Sequence, residues 1–191
     1  MSDTDLVEAA LEIGRGLCAT AEPAADGCTW TATIALGGEG DELILDRGDV
    51  GTTLYDGTAG IAVALAACAT AEPGEAFAEC ALGAAWHALA GAEQMLVQDR
   101  LGLFDGATGV AVSAALVARA LHNQALGDEA AGLTARIAAQ LLTGPPAGAE
   151  LDLIGGVAGT MLGLQGSAAA LGIPAQDVDA LAAALPRAAM P

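Results

Sequence analysis

The sequence predicts a mainly helical, all-α fold made of repeated helix pairs, with a small β addition near its N-terminus. Two observations lead to this prediction: a glycine motif recurs at regular spacing, and each copy is followed by an uncharged, alanine-rich segment. Regular spacing of this kind is typical of arrays whose units are too small to bury their own apolar faces. The chain has 191 residues and a mean hydropathy of +0.52, so it carries enough apolar surface for a folded core.

The lead-in, residues 1–50, differs from the rest of the chain. An amphipathic helix is predicted over Leu6–Ala21, capped near Asp3 or Thr4. Threonine-rich alternation over Cys28–Ile34 predicts a strand. Together with the glycine-rich residues 37–40 and the apolar residues 43–45, that strand predicts one β-hairpin.

The glycine motif occurs three times in register. Its copies read Leu-Tyr-Asp-Gly-Thr-Ala-Gly at 54–60, Leu-Phe-Asp-Gly-Ala-Thr-Gly at 103–109 and Leu-Ile-Gly-Gly-Val-Ala-Gly at 153–159, so the leading glycines are 49 and 50 residues apart. Two glycines three residues apart free one face of a first helical turn, where backbones or a substrate can come close. Packing is the simpler explanation for one copy, whereas three copies favour a shared centre.

Each motif introduces a repeat of two helices, which divides a single domain, 1–191, into repeats at 51–101, 102–150 and 151–191. The uncharged segments are predicted as inner helices, apolar on every side, and the amphipathic segments as outer helices bounded by proline or glycine. The inner helices are predicted at Ile61–Ala71, Val110–Ala118 and Thr160–Leu171, and the outer helices at Glu75–Ala92, Asp128–Leu142 and Ala175–Leu185.

Asp56 and Asp105 stand directly before the leading glycines of the first two motifs. A carboxylate at this position can accept hydrogen bonds from the free N–H groups of the first turn, and its charge suits the positive end of the helix dipole. Both are therefore predicted as helix N-caps, with a role as catalytic acids as the alternative. Phe77, Trp86 and Met95 lie at helical spacings and are predicted to pack in the core.

The charge balance excludes several classes of partner. There are 24 acidic residues and 6 basic ones, all arginine and scattered, for a net charge of −18, so neither nucleic acid nor an anionic membrane surface is an expected partner. The acidic N-terminus lacks the basic start of a signal peptide, which predicts a cytoplasmic protein. The uncharged run Leu153–Gln176 is long enough for a membrane span, but its glycine and alanine content argues against one.

The cysteines and histidines do not predict a metal site. Cys18, Cys28, Cys68 and Cys80 are expected to be buried thiols in a cytosolic chain. Cys80 and His87 lie two helical turns apart, about 10 Å along the helix axis, which is too far for one ion to bind both.

The three motifs, together with the residues around them, resemble the first three repeats of the lanthionine synthetase C-like (LanC-like) cyclases. These stretches read Leu-Tyr-Asp-Gly-Thr-Ala-Gly-Ile-Ala, Gly-Leu-Phe-Asp-Gly-Ala-Thr-Gly-Val-Ala and Asp-Leu-Ile-Gly-Gly-Val-Ala-Gly. The lead-in, with Ala10–Gly14 and Thr29–Trp30, resembles the start of the cyclase domain in LanM-type lanthipeptide synthetases. The resemblance covers nearly the whole chain.

This resemblance implies an α/α toroid of six helical pairs, of which the chain holds about three. It also implies a zinc ion that activates a cysteine thiol of a precursor peptide, and the thiol then adds to a dehydroalanine or dehydrobutyrine to form a thioether ring. Asp152 matches a family aspartate associated with proton transfer or with organisation of the site, so it is the one catalytic candidate. A cap of the third inner helix is the alternative role for Asp152.

The zinc ligands of the family come from later repeats, in His-Gly, Trp-Cys-x-Gly and Cys-His-Gly contexts, none of which occurs in residues 1–191. Zinc is therefore expected only in a complete family member or with a complementary half, and the isolated chain is expected to be inactive. The chain is then the first half of a split cyclase, a non-catalytic module that binds a precursor peptide or holds a partner, or a truncated remnant. Self-association could close a ring but could not supply the ligands.

The excess of acidic residues predicts that stability depends on salt. Like charges on the surface repel each other, and raising the ionic strength from about 0.1 M to 1 M shortens the screening length from about 10 Å to 3 Å. The Tm in sodium chloride, followed by circular dichroism, should rise steadily over this range. The lack of lysine together with this acidic excess fits a protein adapted to high salt, and a Tm unaffected by sodium chloride would refute that hypothesis.

Overall fold

The computed structural model describes residues 3–36, 44–74, 76–144 and 150–173 of the chain. In chain order its elements are α1 (Asp3–Thr20), β1 (Glu22–Ala24), β2 (Gly27–Thr29), β3 (Thr31–Leu36), β4 (Ile44–Asp49), α2 (Thr58–Ala71), α3 (Phe77–Val97), α4 (Ala107–Ala120), α5 (Gln124–Leu142) and α6 (Val157–Leu171).

The helices form two layers. The inner helices α2, α4 and α6 lie side by side in that order, while α3 packs outside α2 and α4, and α5 packs outside α4 and α6. The predicted all-α architecture, a partial toroid of helical pairs, is confirmed. In α4, the middle inner helix, ten of fourteen residues are buried. The flanking helices are less buried, with five of fourteen residues buried in α2 and seven of fifteen in α6.

All three inner helices begin three residues before their predicted starts, at Thr58, Ala107 and Val157. The reason is that each helix starts directly after the leading glycine, so the motif itself supplies the first turn. The outer helices are also longer than predicted. Helix α3 continues to Val97, and α5 begins at Gln124, where the Asn123 side chain accepts a hydrogen bond of 2.9 Å from a backbone N–H. The predicted third outer helix, Ala175–Leu185, lies outside the described residues.

The lead-in contains two antiparallel strand pairs, so the prediction of a single hairpin was incomplete. Strand β1 pairs with β2, and β3 pairs with β4. The predicted strand Cys28–Ile34 is divided at Trp30, whose buried indole Nε1 donates a 2.8 Å hydrogen bond to the Leu17 carbonyl of α1. This anchor ties the strands to α1, while β2 packs on α3. The connection through residues 37–43 lies outside the described part of the chain.

The core confirms the packing roles predicted for the large side chains. Phe77 and Met95 are buried, and Trp86 is partly buried against the same core. Phe77 also meets α1, where a Cβ added at Gly14 would lie 2.9 Å from its ring. Within the described ranges, no helix combines the length and apolarity needed to cross a membrane.

Candidate functional site at the starts of the inner helices

The three motif loops lie next to one another at one end of the inner helices. The N–H of Tyr55 donates to the carbonyl of Phe104, and the N–H of Phe104 donates to the carbonyl of Ile154, each over 3.0 Å. Adjacent repeats are thus joined backbone to backbone at matching motif positions. The three motif loops thus form one continuous row among the described residues.

Within each loop, the chain folds back onto the first turn of its own inner helix. The first helical N–H donates a 2.9 Å hydrogen bond to the carbonyl seven residues earlier, in the pairs Thr58 to Gly51, Ala107 to Arg100 and Val157 to Glu150. This bond satisfies one of the N–H groups that a helix start otherwise leaves unpaired.

The glycines of the motif make this folding possible. A Cβ on a leading glycine would lie 2.4 Å from loop backbone, at Gly57, Gly106 and Gly156 alike. A Cβ on a second glycine would lie 2.0–2.4 Å from the carbonyl oxygen of the motif leucine, at Gly60, Gly109 and Gly159. The space freed by the glycines is therefore filled by the chain's own backbone, which favours packing over the approach of a substrate as the motif's role.

The motif leucines connect one repeat to the next. Leu54 lies against Gly109, where an added Cβ would be 2.9 Å from the Leu54 Cβ. Leu103 lies against Gly159 in the same way, and a Cβ added there would be 3.2 Å from the Leu103 Cβ. The third leucine, Leu153, stands at the end of this series and is 55% exposed, against 9% for Leu103.

The prediction that Asp56 and Asp105 are N-caps was wrong. The cap residues are Gly57 and Gly106, and neither helix start has a side-chain cap. The backbone carbonyl seven residues before each helix start accepts the hydrogen bond from the first helical N–H. A carboxylate is therefore not needed there. Asp56 instead accepts a hydrogen bond from the hydroxyl of Thr53, and Asp105 lies against the third loop, where a Cβ on Gly155 would be 3.0 Å from its Oδ2.

Asp152 is exposed and holds the third loop together. Its Oδ1 accepts hydrogen bonds from the N–H groups of Ile154, at 2.6 Å, and Gly155, at 3.0 Å. These backbone hydrogen bonds lower the pKa of Asp152, because they favour the charged form. The cap of α6 itself is Gly156, so Asp152 orders the loop that leads into the helix.

The bond to Ile154 sets the third loop apart from the first two. At the matching positions, the N–H groups of Tyr55 and Phe104 donate to the carbonyl of the following repeat. The Ile154 N–H donates to the Asp152 carboxylate instead. Asp152 therefore takes the place that a carbonyl of the next repeat takes in the first two loops.

Two threonine hydroxyls near the loops were not singled out from the sequence. Thr108 of α4 and Thr160 of α6 both donate to the carbonyl of Leu101. One backbone oxygen thus joins two repeats beneath the motif loops. A threonine inside an otherwise apolar, fully buried helix was the available signal, since a buried hydroxyl needs an acceptor.

The residues described do not fit a zinc ion. The four cysteines are half-buried thiols, and all lie outside the motif loops. Cys80 and His87 are both on α3, as predicted. Across the described ranges, no three His, Cys, Asp or Glu side chains are grouped so that they could hold a metal ion.

Stacked helical pairs with aligned glycine loops at the starts of the inner helices define the class: a segment of an α/α toroid. A family model described as lanthionine synthetase C-like protein matches residues 48–180, more than half of the chain. The chain belongs to the lanthionine synthetase C-like family. Comparison with the curated proteins gave no match. The finer likeness to LanM-type synthetases stays a prediction.

Replacing Gly109 by alanine should destabilise the protein, because the new Cβ would lie 2.0 Å from the Leu103 carbonyl oxygen. Overpacking of this kind costs about 1–3 kcal/mol. The matched control is Gly132→Ala in α5, where nothing lies within 4 Å of the new Cβ. That change should add about 0.5–1 kcal/mol to the free energy of unfolding through helix propensity. Urea denaturation measures both, and equal effects of the two changes would contradict the role given to the motif glycine.

Asp152→Asn should make the protein less sensitive to acid. A carboxyl whose pKa is lower in the folded state contributes stability above its unfolded pKa, near 3.8, and loses that contribution as the pH falls through the folded value. Wild type should therefore lose stability between about pH 5 and pH 2 more steeply than the variant does. Urea titrations across this range measure the difference. Glu129→Gln, which removes one exposed carboxylate from α5, is the charge control, and a variant that follows wild type would refute the contacts of Asp152.

Proposed function

We propose that the chain forms the first half of a cyclase that makes thioether rings on a precursor peptide, and that the edge of its third repeat receives a fourth repeat. The observation that carries this proposal is the exposed apolar edge of the third repeat. Its members are exposed by 73% at Leu151, 55% at Leu153, 59% at Ile154 and 52% at Leu162.

This edge matches surfaces that are covered elsewhere in the array. Leu54 and Leu103 are both covered where the following repeat places a motif glycine against them. Burying four large apolar side chains contributes about 1.5–3 kcal/mol for each one fully covered. Large apolar side chains exposed together in one repeat are typical of an interaction site. A further helical pair of the same design would supply the glycine that fits Leu153.

The chemistry divides between the two halves. We infer that the zinc ligands come with the remaining repeats, from a longer chain or a second one, because the described residues do not provide them. This half contributes the inner-helix starts and the Asp152 carboxylate. Since its pKa is lowered, Asp152 is ionised near neutral pH and suits a positioning role better than proton donation to the enolate.

A fourth repeat would also change the contacts of Asp152. If its loop offers a carbonyl to the Ile154 N–H, as the second and third loops do for Tyr55 and Phe104, one hydrogen bond to the carboxylate is replaced. The carboxylate then keeps the hydrogen bond from Gly155 and is held less tightly. Completion of the toroid thus supplies the metal ligands and a less constrained carboxylate.

The test is complementation. The purified chain is mixed with a polypeptide that carries the fourth to sixth repeats, with their Trp-Cys-x-Gly and Cys-His-Gly motifs, in the presence of zinc and a dehydrated precursor peptide. A one-to-one complex by light scattering and loss of the peptide's free thiols by alkylation and mass spectrometry are expected. Peptide binding without thiol loss would favour the non-catalytic module instead.

Edge variants locate the contact. Leu153→Asp should weaken the complex at least tenfold, because it buries a charge without a partner. Ile13→Asp, on α1 and 66% exposed, is the matched control and should leave the complex unchanged. Equal affinity of the two variants would refute the third repeat as the docking edge.

A further inference from the structure

Three of the four cysteines line one pocket, although they are far apart in the sequence. Cys18 comes from α1, Cys28 from β2 and Cys80 from α3, and the pocket between them has a volume of about 400 Å³. Glu79 lines it as well. The fourth cysteine, Cys68, lies on another side of the repeat, with its Sγ 3.8 Å from the Ala10 carbonyl.

The Cys28 thiol lies against the backbone of α3. Its Sγ donates a hydrogen bond to the Cys80 carbonyl over 3.5 Å.

Backbone packing fixes the position of Cys28 relative to Cys80. A Cβ on Gly83, one turn after Cys80, would lie 3.0 Å from the Cys28 Sγ, and a Cβ on Gly27 would lie 2.0 Å from the Gly83 carbonyl oxygen. The strand thus rests directly on the helix backbone. Burial raises the pKa of both the Cys28 and the Cys80 thiol, so the attacking thiolate is scarce near pH 7 and exchange at this site should become faster as the pH rises.

We propose that this pocket is a thiol–disulfide exchange site, at which a small disulfide such as oxidised glutathione converts Cys28 and Cys80 into an intramolecular disulfide. A thiolate formed at one of the two cysteines attacks a sulfur of the small disulfide, making a mixed disulfide and releasing one thiolate. The second protein thiol loses its proton and attacks the mixed disulfide, releasing the other thiolate. The two released thiolates take up the two protons, so the small disulfide is reduced and the protein oxidised.

The pair Cys28–Cys80 is preferred over pairs with Cys18 because the strand and the helix are held by their backbones at the point of contact. The bond would join residues separated by 52 positions and fasten the β1–β2 hairpin to α3. Cross-linking of this kind stabilises mainly by restricting the unfolded chain. Oxidation should raise the Tm by about 5 °C or more, and a reductant should reverse the rise.

The experiment treats the folded chain with excess oxidised glutathione and then alkylates the remaining thiols. Wild type should lose two of its four thiols and gain no glutathione mass. Cleavage after arginine yields fragment 16–47, with Cys18 and Cys28, and fragment 48–100, with Cys68 and Cys80. The proposed bond links these two fragments in a non-reducing digest, whereas a bond within either fragment leaves them separate and would overturn the proposal.

Double serine variants identify the pair. Cys18→Ser/Cys68→Ser keeps only the proposed pair and should form the link as fast as wild type. Cys28→Ser/Cys68→Ser keeps Cys18 and Cys80 and should link at least tenfold more slowly, while Cys68→Ser alone should behave as wild type. Circular dichroism establishes that each variant is folded. Equal rates in the two double variants, glutathione adducts without a link, or no reaction in wild type would each overturn the proposal.

Discussion

The close approach of each motif loop to the first turn of its own inner helix is the constraint on which the rest of the structure depends. The hydrogen bond from Ala107 to the Arg100 carbonyl, and its counterparts in the other repeats, leave no room for a side chain at the paired glycines. Once a loop is held in this way, its outer atoms are in position to bond to the next loop. Local packing thus sets the stacking of the whole array.

The periodic part of the fold could be predicted because its causes are local. Motif spacing and the change from uncharged to amphipathic segments located the three inner helices and the first two outer helices. The start at Ala107 was placed too late because the leading glycine, which has poor helix propensity, is the cap rather than a stop signal. Strand β1, only three residues with a proline at its centre, carries no alternation from which it could have been predicted.

The contacts of the candidate site depend on distant parts of the chain, and these the sequence could not show. The resemblance to the family pointed to Asp152, but not to its bonds with the backbone of the same loop. Asp105 was taken for a cap because the competing acceptor is a backbone carbonyl, and every residue type has one. Cys18, Cys28 and Cys80 meet only through tertiary packing, so no local pattern could have grouped them.

The bonds between loops give the array a direction. The N–H of Tyr55 donates to the carbonyl of Phe104, and the N–H of Phe104 donates to the carbonyl of Ile154. The donor thus belongs to the earlier repeat at each junction, and the two ends of the array differ chemically. If two copies met third loop to third loop, their Asp152 carboxylates would face each other. The Ile154 N–H of each copy would also face the other, although each already donates to its own Asp152. A symmetric, face-to-face dimer through this edge is thereby disfavoured. The proposed fourth repeat would therefore have to join head to tail and offer a carbonyl to the Ile154 N–H.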